Sequence, residues 1–150
     1  MQVNSLTIRG HLATYVDWNS GQEVDGASIE RKHAHFYAAN GYPVQVYEHL
    51  MKLLADKFQL EALHNRAQWP NIGQPKDTVR WQTYANDLIH FLDSRQQAKG
   101  IGPVIGIGHS MGATSTIFAA AKRPDLFSQL ILIEPAALTQ KKSWLMNRIP

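Results

Sequence analysis

Apolar positions alternate with polar ones at the start of the chain, then recur at three- and four-residue steps or run uninterrupted. Alternation over residues 6–9 and 12–18 predicts two short strands, with Gly10 marking a hairpin between them. Residues 19–26 are polar and turn-rich, and 31–37 predicts a third strand running into a loop at 38–43. Pro43 is placed to open a helix, and Val46, Tyr47, Leu50, Leu53, Leu54 and Phe58 form its apolar stripe. A fourth strand is expected at 59–64. Pro70, Asn71, Gly73 and Pro75 then make 66–81 a long loop, of a kind that often carries function. A second helical stripe, Trp81, Tyr84, Leu88, Phe91 and Leu92, is stopped by Gly100 and Gly102. Residues 104–107 and 130–133 are short strands without polar alternation, as in strands buried on both faces. Between them lies an alanine-rich helix at 111–122, halted near Pro124.

Strand and helix alternate after the hairpin, so the fold class is α/β, a mostly parallel sheet preceded by an N-terminal antiparallel hairpin. Ligands of such sheets bind at the carboxyl ends of the strands. The positions to inspect are therefore those just after each strand, at 38–43, 65–69, 108–112 and 134–136. Composition narrows the partners. At 44% hydrophobic and 18% charged residues, a 150-residue chain buries a core instead of staying disordered. Fifteen Lys and Arg against twelve Asp and Glu are dispersed, with no run longer than two, so no nucleic-acid partner is expected. No window is long and apolar enough to span a membrane, and the first residues lack a basic start followed by an apolar run. The absence of cysteine excludes a thiol nucleophile and thiolate metal sites, and with them the expected localisation is cytoplasmic.

The chemistry concentrates after the fifth strand. Gly108-His109-Ser110-Met111-Gly112 places a serine between two glycines at the junction of an apolar strand and a helix. A nucleophile elbow needs this arrangement: the turn is sharp, its neighbours must lack bulk, and the helix N-terminus faces any developing oxyanion. Gly106, Gly108 and Gly112, with Glu134 at the next strand end, also suggest a dinucleotide-binding turn. Against that, Met111 stands where the third glycine belongs, and the turn follows the fifth strand instead of the first.

On these residues the chain resembles the α/β-hydrolase fold family, from about residue 6 to 137. Two blocks carry the resemblance: GIGHSMGATSTIFAAAKRPDLFSQLILIEP at 106–135, and HAHFYAANGYP at 33–43, similar to the family's oxyanion loop with Ala-Asn-Gly in place of His-Gly. The resemblance implies Ser110 as nucleophile, Gly108 and Gly112 as elbow glycines, and Asn40 and Gly41 in the oxyanion loop. The backbone amides of Tyr42 and Met111 would be the oxyanion donors. A serine attacks an acyl carbon, whereas family members that open epoxides or remove halides carry an aspartate there, so the implied reaction is ester or acyl hydrolysis. The implied partner is a small acyl or ester substrate, an apolar one if Trp69 and Trp81 line its site, though tryptophans more commonly anchor such a loop to the core. No cofactor and no metal is implied.

The rest of the machinery is not found in the sequence. The seven histidines are His11, His33, His35, His49, His64, His90 and His109, and none follows Ser110, where the family places its base. His109 is expected to point away from Ser110, His33 and His35 to be structural, and His64 is the one internal substitute worth testing. Glu134 reads either as the acid, at a place some relatives use, or as a solvated strand end. Asp17, Asp87, Asp93 and Asp125 read as surface charges. The resemblance thus implies a single truncated α/β-hydrolase core over 1–150, about six of eight strands, with a cap segment starting at 138–150 and little turnover. The strand at 130–133 would then be an apolar edge open to self-association.

Overall fold

The computed structural model describes residues 1–20, 31–70, 72 and 80–136. Its elements in chain order are β1 (Gln2–Ile8), β2 (His11–Asp17), β3 (His33–Tyr37), α1 (Glu48–Ala55), β4 (Gln59–Leu63), α2 (Trp81–Lys99), β5 (Val104–His109), α3 (Met111–Lys122) and β6 (Phe127–Ile133). The six strands form one sheet in the order β1-β2-β4-β3-β5-β6. β1–β2 and β2–β4 are antiparallel, and β3–β4, β3–β5 and β5–β6 are parallel. The hairpin turns on two residues, Arg9 and Gly10, with φ of 50° and 80°. Positive φ at both positions matches the right-handed twist of the strands it joins.

Alternation along each strand splits the core into two layers. Ala34, Phe36 and Ala38 of the β3 segment, Leu60 and Ala62 of β4, and Ile105 and Ile107 of β5 face Met51 and Ala55 of α1. The opposite face packs Ala13, Tyr15, Tyr37, Leu63 and Val104 against Leu88, Phe91 and Leu92 of α2 and Ala119 of α3. On that second face β5 presents glycines. A Cβ on Gly106 would lie 2.9 Å from Thr116 Cγ2, and one on Gly108 2.5 Å from Ala113 Cα. The missing side chains are what let α3 lie against the strand that delivers Ser110.

Several expectations need correction. The chain from Pro43 first winds as a 3₁₀ turn over Val44–Tyr47 and becomes α-helical only at Glu48, ending at Ala55. Half of its expected stripe faces outward: Val46, Leu50 and Leu53 are exposed, while Val44 and Met51 are buried. Trp81 opens α2 and is not part of the loop. Trp69 is buried with its Nε1–H donating to the His64 carbonyl at 2.8 Å, so it anchors the chain after β4 instead of offering a ligand surface. Asp87 is no surface charge. It is fully buried, and both its oxygens accept from the Arg66 guanidinium, one from Nε at 2.7 Å.

β6 is an edge among the described residues, and its apolar side chains Ile131, Leu132 and Ile133 remain exposed. No described helix is long and apolar enough to cross a membrane. The segment expected to start a cap, 138–150, lies outside the described residues.

Candidate active site

Ser110 sits alone between β5 and α3 with φ 52° and ψ −115°, a backbone that residues with a side chain avoid. Its surroundings hold it there. Its N–H donates to the Ile133 carbonyl at 2.9 Å, and its carbonyl accepts from Thr114 N–H at 3.1 Å and Ala136 N–H at 3.4 Å. The Thr114 hydroxyl adds bonds to the Ser110 carbonyl at 3.3 Å and to the Ala136 carbonyl at 3.1 Å. A Cβ on Gly112 would overlap the carbonyl oxygens of Tyr37 and Ala38, so the glycine lets the first turn of α3 rest on the end of β3. Ser110 itself is half-buried and reachable.

Glu134 belongs to the same assembly. It follows β6 with φ 42°, between the two residues, Ile133 and Ala136, that bond the Ser110 backbone. Its carboxylate is exposed. Two left-handed non-glycine residues thus lie at adjacent strand ends, and the backbone of Ser110 is bonded to both neighbours of the turn at Glu134, Ile133 and Ala136.

The loop after β3 holds the residues expected to form the oxyanion loop. Asn40, Gly41 and Tyr42 are exposed, and Tyr42 N–H closes a turn onto the Ala39 carbonyl at 3.2 Å. Gly41 has φ 75° at the third position of that turn, where a positive value favours glycine. Met111 is buried and begins α3, in the first turn where backbone donors have no acceptor within the helix.

The histidines are committed elsewhere. His109 Nδ1 lies 2.8 Å from the Tyr47 hydroxyl. His64 pairs Nδ1 with Thr14 Oγ1 at 2.8 Å and Nε2 with Gln45 Nε2 at 3.4 Å, and burial lowers its pKa from the ordinary 6.5. Its two nitrogens therefore face β2 and the 3₁₀ turn, and it does not serve Ser110 as the internal base. His35 is buried in the middle of β3, where its Nε2 accepts from Leu63 N–H at 3.1 Å, a structural role. Among the described residues no imidazole makes a hydrogen bond to the Ser110 hydroxyl.

Sequence reasoning missed Tyr47 and Asn65 as neighbours of the loop. Asn65 donates through Nδ2 to the Ala39 carbonyl at 3.0 Å, and Ala39 N–H donates to the Tyr47 hydroxyl at 3.3 Å. Asn65 was signalled only by its place just after β4.

Comparison with known proteins agrees with this geometry. Residues 39–149 match the sequence family described as serine aminopeptidase, S33. The monoglyceride lipase of Rattus norvegicus is 40% identical over 98 residues, 65% of this chain and 32% of the relative. The 2-(acetamidomethylene)succinate hydrolase of Mesorhizobium japonicum is 34% identical over 89 residues, 59% of this chain and 30% of the relative. Among solved structures, the N-formylmaleamic acid deformylase of Pseudomonas putida superposes with a TM-score of 0.72 at 19% identity, covering 89% of this chain and 47% of that chain. The chain thus spans about a third of the length of the curated relatives it matches.

Proposed function

Because the chain belongs to the serine aminopeptidase S33 family of α/β-hydrolases, we propose that it carries the nucleophile half of a serine hydrolase, with Ser110 attacking the carbonyl carbon of an ester or related acyl substrate. The observation that carries this reading is the backbone of Ser110, held left-handed at a strand-to-helix junction by bonds from the end of β6. In the reaction the serine oxygen forms a bond to the acyl carbon, and the carbonyl oxygen takes up negative charge. The donors for that charge would be the Met111 amide, in the first turn of α3, and the Tyr42 amide. The Tyr42 amide, which closes a turn onto the Ala39 carbonyl at 3.2 Å, would have to exchange that bond for the oxyanion. Each such donor is worth about 3 kcal/mol in the transition state. Glu134, beside the elbow, is the candidate acid. An apolar acyl group is the substrate we favour, since one relative is named a monoglyceride lipase.

A serine needs a base to take its proton, and among the described residues no imidazole makes a hydrogen bond to the Ser110 hydroxyl. We therefore expect these residues alone to react slowly. A second reading, an association module that pairs through the exposed β6 edge, is favoured by the open apolar strand and tested below. Neither reading retains a dinucleotide, because Met111 occupies the place of the third glycine.

A fluorophosphonate probe and intact-mass measurement test the nucleophile. The complete gene product should gain one adduct, mapped to Ser110 and lost in Ser110→Ala. An adduct elsewhere, or none at millimolar probe, would overturn the assignment.

A further inference from the structure

The peptide of Ala39 is gripped on both sides. Its N–H donates to the Tyr47 hydroxyl at 3.3 Å, and its carbonyl accepts from Asn65 Nδ2 at 3.0 Å and from Tyr42 N–H at 3.2 Å. The Tyr47 oxygen accepts there, and we assign its proton to the bond with His109 Nδ1 at 2.8 Å. That direction leaves Nδ1 bare and places the proton of the neutral ring on Nε2. His109 is the residue before Ser110. Two hydrogen bonds thus run from the loop after β3 to the shoulder of the elbow, the second joining Tyr47 to His109, 62 positions apart. The Tyr47 ring is seated for this, 4.9 Å from Phe36 and 5.8 Å from His109 between centroids.

The loop needs such support. Asn40, Gly41 and Tyr42 are exposed, so little packing of their own fixes them. We infer that Tyr47 is a positioning residue: through its hydroxyl it sets the loop at 38–43 against the Ser110 elbow, with His109 as its anchor and Asn65 as the counter-clamp. The inference rests on the nucleophile reading above. It assigns His109 a defined tautomer and gives Tyr47 a part in a reaction whose atoms it does not touch. Displacing a donor by about 1 Å from a working geometry costs roughly a hundredfold in rate.

The test compares labelling rates of Ser110 by a fluorophosphonate in the complete gene product. Tyr47→Phe keeps the ring on Phe36 and removes only the hydroxyl, and should label ten- to a hundredfold more slowly. His109→Gln, whose amide oxygen can accept from Tyr47, should keep more of the rate than His109→Ala. In the wild type, nitrogen NMR of the imidazole should find the His109 proton on Nε2, and Tyr47→Phe should shift Nδ1. A wild-type protein that labels with Tyr47→Phe labelling as fast overturns the inference while leaving the nucleophile intact. Equal slowing by Phe36→Leu, which loosens the same packing but spares the hydroxyl, also overturns it. A wild type that takes no label removes the nucleophile and this role together.

Discussion

His35 shows what burial does to one side chain. It lies against the rings of Phe91 and Tyr37 at 5.3 and 5.8 Å, and its pKa is driven from 6.5 to about 3 by burial, with Glu61 opposing weakly. Its Nε2 accepts a hydrogen bond from Leu63 N–H, so protonating that nitrogen would set donor against donor. The consequence for stability has a definite sign. The unfolded chain takes up this proton as pH falls below about 6.5, whereas the folded chain resists until about 3. Stability is therefore full above 6.5 and is lost through that window, by up to about 1.4 kcal/mol per pH unit. Urea titrations at pH 7, 6, 5 and 4 should show this slope. His35→Gln, whose amide oxygen can still accept from Leu63, should lose one proton's worth of it. An unchanged slope in the variant would place the acid sensitivity elsewhere.

Elements were legible to the extent that their pattern has one interpretation. The hairpin strands came through because a period of two leaves only one set of residues for each face, and β5 and β6 because a short apolar run between turn signals reads as a buried strand. The sharp strand-to-helix junction at Ser110 was legible because glycines on both sides of the serine satisfy local requirements that packing cannot alter. The orientation of α1 did not. Val46, Leu50 and Leu53 recur at helical spacing as well as Tyr47, Met51 and Leu54 do, and periodicity cannot choose between neighbouring faces of one helix. Asp87 was misread for a related reason. It stands three residues after Tyr84 and four before Phe91, on the buried stripe of α2, and its charge suggested the opposite. The Arg66 guanidinium makes that position tenable. Burial raises the Asp87 pKa, and the hydrogen bonds and charge of Arg66 act against the rise. Arg66 lies three residues past β4 and 4.8 Å over the Trp69 ring, so the pair ties the chain after β4 to α2. Asp87→Ala would remove the carboxylate that accepts both of these bonds from a buried guanidinium, and should cost roughly 3–5 kcal/mol in chemical unfolding. The double change Arg66→Met with Asp87→Leu should cost far less, because nothing charged is then stranded. Equal losses in the two variants would show that the pair itself, and not the stranded charge, sets the energy.

At the scale of the whole molecule the two edges of the sheet differ in kind. β1 ends one side as part of a hairpin with alternating polar residues, Asn4, Ser5 and Thr7 among them. β6 ends the other with Leu130, Ile131, Leu132 and Ile133 in a row, and the last three keep 37–39% of their surface exposed. Ile117 and Phe118 of α3 are exposed as well. A run of apolar residues with an unpaired backbone edge is a template for another strand. The same segment braces Ser110, through Ile133 and Ala136, so whatever covers β6 also stiffens the elbow. The 150-residue chain should therefore sediment as more than a monomer at about 10 μM, a concentration where exposed edges commonly associate. Ile131→Lys with Ile133→Lys should shift it toward the monomer by placing charge on that strand. A monomeric wild type melting cooperatively above about 45 °C would mean that β6 is stable uncovered, and would remove the association reading. If association is found, Ser110 should label faster as concentration rises, because a paired β6 holds Ile133 and Ala136 against the elbow. Pairing without that rise would separate the edge from the site, leaving the elbow rigid by its own glycines and by the close seat of α3 on β5.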